Sequence, residues 1–152
     1  MSNKAIGARF ERDFAAALSR HGFWVHIFQD NHNGQPCDVI AARNGHAYLF
    51  DCKDCQGSFF RLSRMEENQL NAMKLFELTG NSRGKFAIRF AGGLIYLLDY
   101  WQLTVLKKHG YKQLDLADCQ LYGIEFSAWV AQRNAADGWH KEEADGADHH
   151  WQ

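Results

Sequence analysis

The fold is decided by a stretch in the first half of the chain, Pro36-Cys37-Asp38-Val39-Ile40-Ala41-Ala42-Arg43-Asn44-Gly45-His46-Ala47-Tyr48-Leu49-Phe50-Asp51-Cys52-Lys53. Asn44-Gly45 is the dipeptide favoured in two-residue type I′ turns, so the stretch is predicted to form two antiparallel strands. Side chains alternate along a strand, which places Asp51 and Lys53 on one face and Cys52 on the other. Two carboxylates, Asp38 and Asp51, and a lysine therefore interrupt an apolar hairpin, and we expect the chemistry there.

Length and composition indicate one domain. A chain of 152 residues with 46% hydrophobic content is long enough for one buried core, which we place in residues 1–136. Residues 137–152 are polar and are expected to form a flexible tail, in which His149-His150 is a solvated feature and no ligand set. No apolar run reaches the roughly 18 residues of a membrane span, and the N-terminus lacks an apolar signal core. Four cysteines without a disulfide-type spacing favour a reducing, cytoplasmic setting.

Charge is distributed unevenly along the chain. Residues 137–152 contain five acidic residues and one lysine, which leaves 16 of the 17 basic and 13 of the 18 acidic residues in residues 1–136. The main part of the chain is therefore mildly basic. This balance is compatible with nucleic-acid binding but does not require it.

Hydrophobic periodicity predicts the elements on either side of the hairpin. The N-terminal segment, from about Ala5 to His21, has apolar residues at helical spacing, and Phe23–Phe28 follows as a strand. Gln29–Gln35 is polar and is predicted to be a loop. Together with the hairpin, this gives the order helix, strand, strand, strand.

The second half continues with alternating elements. After a loop over Asp54–Arg61, Ser63 and Glu66 match a capping box that starts a second helix. A hairpin of Lys85–Phe90 and Gly93–Leu98 precedes a short helix capped by Asp99. Leu114–Tyr122 is ambiguous, and Ser127 is predicted to cap a last helix over Ala128–Ala136.

Three residues in the predicted helices do not fit an ordinary amphipathic pattern. Glu11 lies at the edge of the apolar stripe of the first helix, where a solvated role and a role beside the aspartates both remain open. Gly7, one turn earlier, weakens the helix by about 1 kcal/mol relative to alanine, which indicates close approach of another backbone. Gln69 interrupts the apolar stripe of the second helix. It is either a satisfied core amide or one that faces the acidic site and orients water or a phosphate oxygen.

The acidic hairpin and its surroundings resemble a known nuclease family. Asp38 followed by Asp51-Cys52-Lys53 is similar to the PD-(D/E)xK motif, and the wider pattern resembles Holliday junction resolvases of the RecU and archaeal Hjc type. That pattern spans roughly residues 5–100 and includes Gly7–Glu11, Pro36–Asp38, Asp51–Lys53, Ser58–Ser63 and Asn68–Leu70. The resemblance implies an α/β, restriction-endonuclease-like fold with a mixed sheet flanked by helices in the order αβββαβ.

The resemblance also implies the chemistry. Asp38 and Asp51 would be the central ligands of Mg²⁺ (or Mn²⁺), with the Cys52 backbone carbonyl and Glu11, directly or through water, completing the shell. Lys53 would position the attacking water or neutralise the phosphate, and Gln69 would assist at the acidic site. The implied activity is metal-dependent hydrolysis of DNA phosphodiesters in recombination and repair.

Substrate contacts and assembly follow from the same resemblance. Phosphate contacts are expected from nearby cations, first Arg9, Arg61, Arg64 and Lys74, with Lys4 and Arg12 behind them. Half of these are expected to be ordinary surface charges. A resolvase cuts two strands of branched or four-way DNA symmetrically, which implies a homodimer with two active sites.

Other interpretations remain open at this point. Cys52-x-x-Cys55 has the spacing of half a zinc site or of a redox pair. A nuclease of the same fold with a nicked, flapped or foreign DNA target is a second possible function. A non-catalytic DNA- or protein-binding regulator, for example of a phage, is a third, although such a module has no reason to retain Asp38, Asp51 and Lys53 together.

Overall fold

The structure is a computed structural model that describes residues 2–29 and 36–141. Most of the predicted loop Gln29–Gln35 and most of the predicted tail 137–152, including His149-His150, lie outside these residues. The helices are α1 (Asn3–Arg20), α2 (Glu67–Leu78), α3 (Tyr100–Lys108), α4 (Leu116–Tyr122) and α5 (Phe126–Asp137). The strands are β1 (Trp24–Ile27), β2 (Val39–Arg43), β3 (His46–Asp54), β4 (Phe59–Arg61), β5 (Lys85–Arg89), β6 (Ile95–Asp99), β7 (Gln113–Asp115) and β8 (Ile124–Glu125). None of the helices described is both long and apolar enough to cross a bilayer.

A mixed sheet forms the centre of the domain. Its six strands follow the order β1-β2-β3-β5-β6-β8, and β3 and β5 run parallel while the other neighbours are antiparallel. Because parallel neighbours need a crossover, α2 lies between β3 and β5 in the chain. The predicted fold class and the αβββαβ order are confirmed, with β4 added between β3 and α2. β4 and β7 form a separate two-stranded sheet.

The β2–β3 hairpin forms around the predicted turn. Asn44 and Gly45 have φ values of 55° and 78°, the left-handed conformation that a type I′ turn needs at both positions. Arg43 pairs with His46 and Val39 with Phe50, so this local turn fixes the register of the whole hairpin. The predicted β5–β6 hairpin is also present, with Lys85 opposite Asp99.

The sheet is covered on both faces. One face packs against α1 and α5 through an aromatic cluster in which the Phe14 and Phe50 rings lie 5.0 Å apart and Trp129 stacks against Phe23. The other face packs against the side chains of α2, α3 and α4. β3 runs through the middle, and its central residues, from Tyr48 to Cys52, are buried.

Two helix starts differ from the prediction, and in both cases a carboxylate replaces the predicted serine. α2 begins after Glu66, whose backbone N–H donates to Gln69 Oε1 at 3.0 Å, whereas Ser63 lies in a 3-10 turn over Leu62–Arg64. α5 begins after Glu125, whose carboxylate accepts from the Ala128 N–H, so Ser127 lies inside the helix. A carboxylate at the start of a helix is also stabilised by the positive end of the helix dipole.

Two other segments also differ from the sequence interpretation. The predicted loop over Asp54–Arg61 contains β4, which pairs with β7 from far along the chain. The ambiguous segment Leu114–Tyr122 divides into the end of β7 and α4, and Asp115 caps α4 by accepting from the Asp118 N–H. Strands of three residues are too short to show a periodic pattern.

Packing continues to the C-terminal end of α5. Asp137 ends α5 and pairs with Arg43, and the two side chains are 3% and 6% exposed. The Arg43 guanidinium also donates to the His21 carbonyl at 2.8 Å and to Asn134 Oδ1 at 2.9 Å, and it lies 4.1 Å from the centre of the Phe23 ring. This arginine clamp joins the hairpin turn to the ends of α1 and α5.

Replacing Arg43 by methionine should destabilise the domain by roughly 3–5 kcal/mol, because Asp137 remains buried without a counter-charge. Arg43→Met/Asp137→Asn should recover part of that loss. Arg83→Met removes a surface ion pair with Glu77 and should change stability by less than about 1 kcal/mol. Urea unfolding of the three variants measures these differences, and an Arg43→Met protein as stable as Arg83→Met would contradict this account of the clamp.

Candidate active site

Asp38 and Asp51 meet where the β2–β3 ladder ends. Asp38 directly precedes β2, and its Oδ2 accepts a hydrogen bond from the Cys52 backbone N–H at 2.7 Å. The side chain thus takes the place of a backbone acceptor at the point where the chain leaves the sheet towards Pro36. This contact fixes the Asp38 carboxylate beside residues 51 and 52 of β3.

Asp51 is 1% exposed and is contacted from two sides. Its Oδ1 accepts from Gln69 Nε2 at 3.0 Å, and its Oδ2 lies 3.0 Å from Lys53 Nζ. The side-chain alternation predicted for Asp51 and Lys53 is therefore present. Gln69 therefore faces the acidic site. Its amide oxygen is also hydrogen-bonded, because Oε1 accepts from the Glu66 N–H at the start of α2.

The two aspartates repel each other. Burial and then the facing charge of Asp38 raise the pKa of Asp51 well above its usual 3.8, and Lys53 lowers it only in part. A hydrogen bond between the two carboxyl groups further favours a protonated Asp51. A cation placed between the oxygens would relieve this repulsion.

The donor set fits a divalent cation with hard-ligand preferences. Asp51 Oδ2 is buried, and the Lys53 ammonium lies 3.0 Å from it. Mg²⁺ retains several waters and binds proteins through one or two carboxylates. Within residues 2–29 and 36–141, no three His, Cys, Asp or Glu side chains form a group able to hold a metal. Asp38 and Asp51 bring two carboxylates together, and carboxylate oxygens are ligands that Mg²⁺ prefers.

Glu11 approaches from the other side of β3. It is partly buried on α1, and its charge contributes to the raised pKa of the Cys52 thiol, which places it within electrostatic range of that residue. Cys52 packs in the aromatic face of the core, as its alternation with Asp51 predicts. Glu11 is thus near the end of β3 but is not grouped with the two aspartates as a third metal-holding side chain.

The cysteines do not form the geometry of a zinc or redox pair. Cys52 packs with the core on the α1 side of the sheet, whereas Cys55 packs against the opposite core on the α2 side. Burial raises the pKa of both thiols, that of Cys55 to about 11, so both are held in the protonated form. A thiol in this state neither attacks a disulfide nor binds zinc readily.

A polar cleft of about 270 Å³ opens beside the acidic pair. Its lining includes Gly7, Cys52, Asp54 and Arg64, and Arg64 Nη1 donates to the Asp54 carbonyl at 3.1 Å. Gly7 does not pack against another backbone of the domain, since a Cβ there would have no described atom within 4 Å outside its own helical turn. The space over Gly7 is open and belongs to the cleft.

The predicted phosphate-binding cations do not form one group. Arg64 lines the polar cleft, and Arg9, Lys4 and Arg12 are exposed on α1. Arg61 lies on β4, where it lines a separate groove, and Lys74 is exposed on α2.

An ion-pair network that the sequence does not predict lies at the end of β3. Arg89 on β5 contacts Asp54 at 2.7 Å and Asp13 of α1 at 3.1 Å, and its guanidinium lies 4.3 Å from the centre of the Phe10 ring. The network fastens the last residue of β3 to α1. The alternation of charge in Lys53-Asp54 was visible in the sequence, but the partner on β5 depends on the parallel β3–β5 register.

Asp51→Asn should remove a pH dependence of stability that the wild-type protein shows in EDTA. Because folded Asp51 holds its proton where the unfolded one has lost it, stability should fall as pH rises from about 4 through the folded-state pKa. Asparagine does not titrate, so urea unfolding between pH 4 and pH 8 should show wild type losing stability with rising pH relative to the variant. Asp13→Asn, with a 53% exposed side chain, is the matched control and should keep the wild-type slope. Equal slopes for Asp51→Asn and wild type would refute the repulsion.

Comparisons with known proteins agree with this geometry. The family model described as archaeal Holliday junction resolvase (Hjc) matches residues 2–134. The Hjc Holliday junction resolvase of Archaeoglobus fulgidus shares the fold, with a TM-score of 0.62 and 19% identity over 82% of this chain and 95% of that one. The bacterial homing endonuclease I-Ssp6803I has a TM-score of 0.57 and 13% identity over 92% of this chain and 100% of its own. No curated protein sequence matches the chain.

The family match covers most of the chain and spans every residue of the acidic site. It confirms the resemblance inferred from Asp38, Asp51-x-Lys53 and their surroundings. The chain belongs to the archaeal Holliday junction resolvase (Hjc) family of nucleases.

Proposed function

We propose that this protein is a divalent-metal-dependent endonuclease that resolves four-way DNA junctions by paired nicks. The observation that carries the proposal is that the half-buried Asp38 carboxylate faces the buried Asp51 carboxylate, with Lys53 Nζ at 3.0 Å from Asp51. A chain with no catalytic duty gains nothing from two facing carboxylates that repel each other, whereas a phosphodiesterase of this family would use them.

Each residue of the site has a distinct task in this proposal. Asp38 and Asp51 hold the cation, which supplies charge stabilisation at the phosphate and activation of water when bound. Lys53 neutralises the scissile phosphate or positions the attacking water next to it. Gln69 is a positioning residue, because its amide fixes Asp51 at one end and caps α2 at the other.

Flanking residues would align the DNA with this site. The Cys52 backbone carbonyl and Glu11 are proposed as further contributors to the metal site, Glu11 through water. Arg64 in the polar cleft and Arg9 on α1 would contact phosphates beside the cut. The open space over Gly7 would let a sugar–phosphate backbone approach α1 closely.

The proposed assembly is a homodimer. Two strands of a junction must be cut at symmetry-related positions, and one Asp38–Asp51 site serves one strand. A C2 dimer supplies two equivalent sites with the antiparallel strand polarity that the junction presents.

Asp38→Asn and Asp51→Asn should each reduce junction cleavage at least about a hundredfold while junction binding is retained, because charge is lost without a change of shape. Wild type, both variants and the control Asp13→Asn are assayed on a synthetic four-way junction beside linear, nicked and flapped duplexes, in Mg²⁺ and in EDTA. Paired symmetric nicks confined to the junction, and lost in EDTA, support resolution. Equal cutting of all substrates would show a nuclease without preference for junctions. Junction binding without any metal-dependent cutting would contradict the proposed nuclease activity.

Gly7→Ala should raise stability by roughly 0.5–1 kcal/mol, because an interior helical glycine gains from a methyl group that meets no neighbour. If DNA uses the open space, the same change should weaken junction binding. Ala16→Gly, at an exposed position of α1, serves as the control and should lower stability while leaving junction binding unchanged. Unfolding and binding measured on both variants separate the two effects, and undiminished binding by Gly7→Ala would show that DNA does not enter the cleft.

A further inference from the structure

A second groove, of about 610 Å³, borders the same 3-10 turn as the polar cleft. Arg61, Leu62 and Ser63 line the groove, while Arg64, the next residue, lines the cleft. Lys107 and Lys112 line its other side. The polar cleft and this groove are therefore neighbours along one continuous stretch of chain.

The groove has a rigid frame. The Leu62 N–H donates to the Lys112 carbonyl at 3.0 Å, and Arg61 pairs with Gln113 in the small β4–β7 sheet. α3 ends through Gly110, whose φ of 97° turns the chain back. Tyr111 then fixes the turn through a 3.0 Å contact between its hydroxyl and that of Tyr122. A frame of this kind holds its cations in place before a partner arrives.

The charge of the groove has one sign. None of the described residues that line it is acidic, and residues 100–114 contain no Asp or Glu. Asp115, two residues after Gln113, and Asp118 accept hydrogen bonds from each other's backbone N–H groups and cap α4. Glu66, three residues after Ser63, is the N-cap residue of α2. The carbonyl end of α3 carries only about half a negative charge, which Lys107 and Lys108 together exceed. Helix stabilisation explains lysines on α3, but it does not explain Arg61 and Lys112, which lie outside that helix.

We propose that this groove binds the sugar–phosphate backbone of a duplex DNA arm at a point beyond the scissile phosphate. The proposal rests on the proposed function and extends it, since it assigns Lys107 and Lys112, together with Arg61, to an arm that is held but not cut. Continuity with the polar cleft through Arg64 favours DNA over an acidic peptide, because one duplex can follow both surfaces. Contacts of this type add affinity without sequence preference.

The test compares two double variants that lose the same charge. Lys107→Gln/Lys112→Gln removes the groove lysines, and Arg20→Gln/Lys141→Gln removes two exposed cations that line neither the groove nor the cleft. Junction binding is measured in EDTA over a range of salt concentrations, and cleavage is measured at saturating junction in Mg²⁺. Lys107→Arg/Lys112→Arg keeps the charge and serves as the rescue variant.

We expect the groove variant to bind the junction about tenfold more weakly at low salt and to lower the salt slope by about two, with cleavage at saturation unchanged. The control and the rescue variant should remain close to wild type. If the groove variant has the same junction affinity and salt slope as the control, the groove does not bind DNA. That result would not contradict the proposed nuclease activity. A rescue variant as weak as the glutamine variant also contradicts DNA binding by the groove, because the defect is then structural. Failure of wild type to bind or cut any junction overturns the proposed function itself.

Discussion

The repulsion between the buried Asp51 carboxylate and the half-buried Asp38 carboxylate that faces it is the constraint on which the rest of the structure depends. Asp38 and Asp51 are brought together by the hairpin register, which is set by the Asn44-Gly45 turn at the other end of β2 and β3. α2 then delivers Gln69 to one oxygen of Asp51, and Lys53 approaches the other. Gln69 holds Asp51 in place without adding charge, and Lys53 offsets the negative charge of the pair only in part. The stability of the rest of the domain has to offset the repulsion that remains.

The two faces of the sheet are packed differently. The α1–α5 face is closed by packed rings, among them Phe14, Phe50 and Trp129. The opposite face carries Gln69 of α2 and the small β4–β7 sheet, and it borders the groove proposed for DNA, whereas the polar cleft lies between α1 and the end of β3. β3 belongs to both faces, so Asp51 rests on a strand that the aromatic layer holds rigid. The groove can therefore vary in charge and shape without loosening the carboxylate pair.

The hairpin and its charged face can be predicted from the sequence because short-range rules determine them. The features that cannot be predicted depend on contacts between residues far apart in the chain. The Asn44-Gly45 turn and the alternation of Asp51, Cys52 and Lys53 follow from short-range rules, and Gln69 was visible as a polar residue in an apolar stripe. The start of α2 was misplaced because Gln69 serves both the helix cap and Asp51, a contact across 18 residues. The pairing of β4 with β7 and that of Arg89 with Asp54 depend on registers between strands far apart in the chain. No periodic pattern in a single sequence reports such contacts.

The arginine clamp also has a consequence for the order in which the chain folds. All residues of the carboxylate pair and its supports are synthesised before residue 70, but Arg43 meets its counter-charge 94 positions later, at the end of α5. Contacts of such separation form late, because the intervening chain must first be ordered. During synthesis, the emerging hairpin therefore carries a guanidinium that cannot be buried in its final place. The aromatic face closes only when the last described helix has left the ribosome, which delays a fully folded nuclease until the whole domain has been made.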